Sequence, residues 1–284
     1  MIPAAFDYVA PSTVEEAVRA LAEAGEDAKV LAGGQSLLPV LRMRLAAPAM
    51  IVDVGRIAEL RGVRDAGDHL VIGAMTTHYD LQRDQSIAEH AALLARATDT
   101  VADPQVRHRG TFGGSIAHAD PAGDLLAPAL ALDTEMVIAG PGGRRTVPAA
   151  EFFQDFFTTS LAPDEILVEV RVPKFTGWRA HYEKFNRVAQ AWSIVAVAVA
   201  VRVEGEAIAE ARIGLTNMGA VPVRATAVEQ ALLGQPATPE NIRAAAAHAA
   251  EGTSPTPDAN GDVEYRQELA RVLTGRAVSA ALTG

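Results

Sequence analysis

Apolar positions first recur at helical spacing: Val14, Ala17, Val18 and Leu21 share one face of a segment spanning residues 12–25. Ser12 and Thr13 each have a Glu three positions on, giving two overlapping capping-box choices, and Gly25 closes the helix. The apolar run at 28–32 (AKVLA) predicts a short buried strand, followed by a Gly33-Gly34-Gln35-Ser36 turn and a helical segment to Leu45. Runs at 50–54 and 69–73 predict further strands, and 77–83 and 87–97 predict helices. Residues 125–132 are apolar throughout. Residues 135–138 and 146–148 flank a GPGG turn and predict a hairpin, and 166–172 (ILVEVRV) alternates as a strand closed by Pro173.

After residues 174–177 the texture changes. Three strand-like runs at 181–187, 193–203 and 207–215 precede an alanine-rich, helical text from Val223 onward, broken at 252–261. A second domain therefore begins near residue 177. No fixed-period repeat is present.

At 284 residues, 49% hydrophobic and 21% charged, the chain has ordinary globular usage and length to bury roughly 73% of its unfolded surface. Against 25 Lys and Arg stand 35 Asp and Glu, a formal charge of -10, which argues against nucleic acid or an anionic membrane as partner. With no cysteine, the chain itself can hold neither a disulfide nor an iron–sulfur cluster, so any electrons it carries need an organic cofactor. No run reaches the about 18 apolar residues of a membrane helix, and the start lacks a signal-peptide pattern. The sequence reads as a bacterial-type cytoplasmic protein.

Two glycine loops carry candidate chemistry. In Ala32-Gly33-Gly34-Gln35-Ser36 the glycines can turn backbone N–H groups toward an anion at a helix start, with Ser36 adding a hydroxyl. The spacing fits neither dinucleotide nor P-loop motifs, and taken alone the loop reads better as a plain glycine turn with Ser36 as N-cap. Thr111-Phe112-Gly113-Gly114-Ser115 repeats the pattern after Arg107, His108 and Arg109. Two such loops in one domain could clamp opposite sides of one pyrophosphate. The segment 103–124, rich in Gly, Pro, Asp and His, reads as a site-forming loop.

Asp120 and Asp124 frame a Pro-Ala-Gly turn, where a carboxylate can accept from ribose hydroxyls or cap the next helix. Lys184 lies on an expected strand, either facing a cleft to offset charge on a reduced ring or solvated. Trp192 walls an aromatic ring or fills the core. His108 and His118 are too scattered for a metal site, so no metal ligand is expected.

In order and spacing, AGGQS at 32–36, TFGGS at 111–115, ADPAGD at 119–124, EILVEVRVP at 165–173 and YEKFNR at 182–187 resemble the FAD-binding medium subunit of molybdenum hydroxylases. Within this xanthine dehydrogenase family the likeness is greatest to the aerobic carbon monoxide dehydrogenase branch. It runs from about Ile2 to the C-terminal helices.

The resemblance implies an α+β fold. A vanillyl-alcohol-oxidase-like (PCMH-type) FAD-binding domain of two α/β subdomains would occupy 1–176. A C-terminal medium-subunit domain, with a three-stranded antiparallel sheet and helical bundle, would occupy 177–284. It implies that residues Ala32, Gly33, Gly34, Gln35 and Ser36, with Thr111, Phe112, Gly113, Gly114 and Ser115, hold the FAD pyrophosphate between them. Asp124 would bind the ribose or adenine side, Leu167 would contact the flavin region, Lys184 would lie close to the isoalloxazine, and Trp192 is the candidate shielding aromatic. No catalytic residue is expected on this chain.

The implied activity is electron transfer within an oxidoreductase. Substrate is oxidised at a molybdopterin–molybdenum cofactor on a large subunit, electrons cross 2Fe–2S clusters on a small subunit, and FAD passes them to an external acceptor. The implied assembly is a dimer of heterotrimers touching its acceptor peripherally. Alternatives are the medium subunit of an aldehyde, purine or N-heterocycle dehydrogenase, or a flavin-free scaffold. Valine at both Gly34 and Gly114 is expected to abolish FAD binding while sparing the core.

Overall fold

The computed structural model describes residues 2–283. Helix Val14–Ala24 starts with Thr13, whose hydroxyl accepts from Glu16 N, while the Glu16 carboxylate accepts from Ser12 N and Oγ at 2.8 and 2.9 Å. Of the two overlapping caps, Thr13 therefore takes the cap and Ser12 the returning carboxylate. The apolar face of this helix packs with Ala28 and Val52 of a parallel sheet ordered Asp7–Val9, Met50–Asp53, Ala28–Leu31.

A second sheet is antiparallel, ordered Val63–Asp65, His69–Gly73, Ile166–Pro173, Glu135–Gly140, Gly143–Pro148. The late strand Ile166–Pro173 enters between His69–Gly73 and Glu135–Gly140, joining the expected hairpin to the sheet's earlier half. Its register shifts between Leu167 and Glu169, and the Val168 carbonyl accepts from Ala74 N at 2.9 Å instead. One face meets the first subdomain through Val137, Ala139, Ile166 and Val168; the other meets helices Ala92–Asp99, Phe112–His118 and Leu126–Ala131.

The C-terminal sheet holds Arg179–Phe185, Val195–Glu204 and Ala207–Thr216, plus a fourth strand of two residues, Val223–Arg224, where three strands were expected. Helix begins only at Thr226, because Val223 pairs with Leu215 across the sheet edge. Along the VAVAVAV run the period of two sorts residues by size. Val195, Val197, Val199 and Val201 face the helices of the C-terminal bundle, while Ala196, Ala198 and Ala200 face the second subdomain's core. The small face admits helix Leu126–Ala131 so closely that a Cβ on Gly214 would lie 2.4 Å from the Ala127 carbonyl oxygen.

Two further expectations are corrected. The helix expected over 87–97 is two, Gln85–His90 and Ala92–Asp99, broken at Ala91, whose φ of -143° and ψ of 45° are not helical. The segment 103–124 is not all loop: Pro104–Arg107 and Phe112–His118 are helices capped by Asp103 and Thr111.

Candidate functional site

A cleft of about 900 Å³ is lined by residues 32–36, Thr111, Gly113 to Ser115, Asp124, Leu167 and Trp192, and also by Leu21, Ala28 and Lys29. The first loop leaves strand Ala28–Leu31 and enters helix Leu37–Arg42. Gly34 adopts φ 74°, a conformation costly for any residue with a Cβ. Gln35 Nε2 donates to the Gly33 carbonyl at 3.2 Å and steadies the turn. Among the described residues, the N–H groups of Gly33, Gly34, Gln35 and Ser36 donate to no protein acceptor. Such a row of free amides beside a helix start suits an anion. Ser36 caps nothing with its hydroxyl, which excludes the plain N-cap role.

The second loop differs. Phe112 N donates to Thr76 O, Gly113 N to Ala74 O, Gly114 N to Thr111 Oγ1 and Ser115 N to Thr111 O, all within 3.1 Å. Its leading amides are thus already paired, so the two loops are not equal halves of an amide clamp. The Phe112 side chain is fully buried in the core outside the cleft lining. What the second loop does is brace the first: a Cβ on Gly33 would lie 2.2 Å from Arg109 O, and one on Gly114 would lie 2.6 Å from Thr111 Oγ1 and 3.4 Å from Ala32 Cβ. Arg109 therefore serves through its backbone carbonyl, while Arg107 donates to Val101 O at 2.8 Å.

Asp124 caps no helix. Its carboxylate accepts from Lys184 Nζ at 2.7 Å, Ser193 Oγ at 2.8 Å and Tyr182 OH at 3.0 Å. Burial pushes its pKa up, opposed first by the Lys184 charge and then by these donors. Lys184 also donates to Thr100 O at 3.0 Å and lies outside the cleft lining. It is therefore not solvated: the ammonium stands behind Asp124. Leu167 is buried yet borders the cleft. Trp192 is 62% exposed on a C-terminal-domain segment at the rim, so it does not fill the core. Asp120 Oδ1 accepts from Ala122 N at 2.9 Å and shapes the Pro-Ala-Gly turn.

Sequence reasoning missed His78. It lies 37 positions from Ser115, yet its Nε2 is 3.2 Å from Ser115 Oγ and it lines the cleft. Burial, then the Arg107 charge, push its pKa down to about 4, so the ring is neutral at neutral pH. Of the histidines considered, His118 borders the cleft against Phe157, at 5.1 Å between ring centroids, and His108 stacks on Tyr79 at 3.9 Å.

Lys29 is the one Lys or Arg among the lining residues, which include Glu26, Asp103, Asp120, Asp124 and Glu165. Any phosphate here would be countered mainly by amide dipoles, and the free amides at 33–36 fit a pyrophosphate in that way.

Residues 4–175 match the FAD binding domain in molybdopterin dehydrogenase, and residues 180–281 match the CO dehydrogenase flavoprotein C-terminal domain. The chain belongs to this family of FAD-binding molybdopterin dehydrogenase subunits. It is 44% identical to the carbon monoxide dehydrogenase medium chain of Hydrogenophaga pseudoflava, over 99% of this chain and 98% of that one. It is 36% identical to the 6-hydroxypseudooxynicotine dehydrogenase complex subunit alpha of Paenarthrobacter nicotinovorans, over 99% and 96%. A solved structure of the Hydrogenophaga pseudoflava carbon monoxide dehydrogenase superposes with a TM-score of 0.96 at 45% identity, covering 99% of each chain.

Proposed function

We propose that this chain is the FAD-carrying medium subunit of an aerobic carbon monoxide dehydrogenase. It receives electrons from the 2Fe–2S clusters of a small subunit and passes them through FAD to an external acceptor. A large subunit with the molybdenum–pterin cofactor completes a heterotrimer, which pairs into a dimer of heterotrimers in the cytoplasm. The observation that carries this reading is the row of unpaired amides at residues 33–36 inside the cleft; a flavin-free scaffold needs none of it. Among the described residues no helix is long and apolar enough to cross a membrane.

When bound, FAD supplies an isoalloxazine redox centre, and the chain's part is to bind, orient and shield it. Gly33, Gly34, Gln35 and Ser36 hold the pyrophosphate through their amides, with Ala32 opening the loop. Thr111, Gly113 and Gly114 brace that loop, and Ser115 adds its hydroxyl. Asp124 borders the ribose or adenine side and Leu167 the flavin region, Lys184 acts by fixing the Asp124 carboxylate, and Trp192 walls the open side. The domain boundary is placed at 176/177, supported by family matches that end at 175 and resume at 180.

The relative named for 6-hydroxypseudooxynicotine favours a second reading, the medium subunit of an N-heterocycle, purine or aldehyde dehydrogenase. The test is the visible absorption spectrum of the purified chain, alone and co-expressed with partner subunits, followed by chromatography of heat-released flavin. FAD in either sample supports the cofactor, and its absence from both overturns it. Carbon monoxide-dependent dye reduction by the assembled complex then separates the two substrate readings.

A further inference from the structure

We propose that His78 is a positioning residue that turns the Ser115 hydroxyl into a hydrogen-bond donor aimed at phosphate oxygens in the cleft. This rests on FAD occupying the cleft, as proposed above. The His78 ring is buried, with Nε2 3.2 Å from Ser115 Oγ and with Nδ1 shut away from solvent and unpartnered among the described residues. A neutral imidazole carries one ring proton. A buried N–H left without an acceptor is rarer and costlier than a buried acceptor left without a donor. The proton therefore belongs on Nε2, which donates to Ser115 Oγ. With its oxygen engaged as acceptor, the hydroxyl hydrogen of Ser115 is free to point into the cleft.

The ring is held for this task. His78 N donates to Gly110 O at 3.0 Å, and Gly110 lacks a Cβ that would otherwise lie 2.8 Å from the His78 ring. Thr77 caps the helix that His78 opens, accepting from Asp80 N at 3.1 Å. Burial first, and then the Arg107 guanidinium, keep a second proton off the ring and so preserve the single donor. The orientation matters because the amides of this loop are already paired, leaving hydroxyls as its offering to an anion.

The test is the FAD dissociation constant of the full chain, followed by flavin fluorescence, for wild type, Ser115→Ala, His78→Leu, His78→Gln and the Ser115→Ala/His78→Leu double variant. Loss of one hydrogen bond to a charged acceptor predicts a weakening of about 10- to 100-fold for each of Ser115→Ala and His78→Leu. The double variant should be no weaker than either single one, and His78→Gln, whose amide can still donate, should stay within about threefold of wild type. Losses that multiply in the double variant, or a Gln variant as weak as the Leu variant, overturn the inference. If the Leu variant does not fold, the imidazole ¹⁵N shifts of the wild-type holoprotein decide it. A proton on Nε2 supports the role and a proton on Nδ1 overturns it. Failure of the wild type to bind FAD both alone and co-expressed with partner subunits instead overturns the function proposed above.

Discussion

Lys184 Nζ lies 2.7 Å from Asp124 Oδ2 with both side chains under a tenth exposed, and the pair ties the C-terminal sheet to the loop that borders the cleft. Removing one partner of such a pair leaves an uncompensated charge, whereas removing both does not. Lys184→Met should therefore cost about 3–5 kcal/mol in denaturant unfolding, and Lys184→Met/Asp124→Leu much less. The single variant should also lose stability with rising pH relative to wild type. Its carboxyl, freed of the opposing cation, has a folded pKa above the unfolded one, so the folded state holds the extra proton and is favoured at low pH. Equal costs for the single and double variants would contradict this account.

The glycines of the two loops divide into those fixed by protein contact and those that are not. Gly33→Ala would drive a Cβ to 2.2 Å from Arg109 O and part the loops, so it should lower both thermal stability and FAD content. Gly34→Ala meets a φ of 74°, costing about 1–2 kcal/mol. Gly142→Ala, with nothing within 4 Å of the added carbon, is the control and should be silent. The paired valines at Gly34 and Gly114 would strike Leu38 and Thr111 before any ligand, so the expectation that they spare the fold is withdrawn. Calorimetry on the three single alanine variants checks the order.

What the sequence could disclose depended on how local each cause was. The Thr13 cap, the hairpin about Pro141 and Gly142 and the strand ending at Pro173 rest on short-range rules and formed where expected. The break at Ala91 left no mark, because Ile87, Ala91 and Leu94 keep one buried face across it. The second glycine loop looked like the first, since composition does not show that Ala74 and Thr76 would take its amides. His78 was invisible for the same reason: its partner, Ser115, is brought to it across the isolated bridge between Thr77 and Thr111 and by no motif.

The buried His78 ring makes an acid-side stability term. Its folded pKa of about 4 lies below the ordinary 6.5, so between those values the unfolded chain binds the proton and the folded chain does not. Stability from this group is complete above pH 6.5 and is lost as pH falls toward 4, about 3 kcal/mol in all. His78→Gln should flatten that part of the profile. Unfolding free energies measured from pH 7 to 4 check it, and parallel profiles for the two proteins would refute the shift.

Trp192 offers the cleanest separation of binding from folding. It is 62% exposed at the cleft rim, on a turn held from outside it by Asn186 Nδ2 on Val188 O at 2.7 Å and by Asn217 Nδ2 on Ser193 O at 2.9 Å. Trp192→Ala removes none of these bonds and opens no core cavity, so stability should stay within about 0.5 kcal/mol of wild type. The loss of a stacking wall should weaken FAD by about 2- to 10-fold, with Trp192→Phe recovering most of it. A thermal melt beside a flavin titration reads both quantities. An unchanged dissociation constant would remove Trp192 from the site, and a large fall in melting temperature would mean that the side chain packs where the structure leaves it exposed.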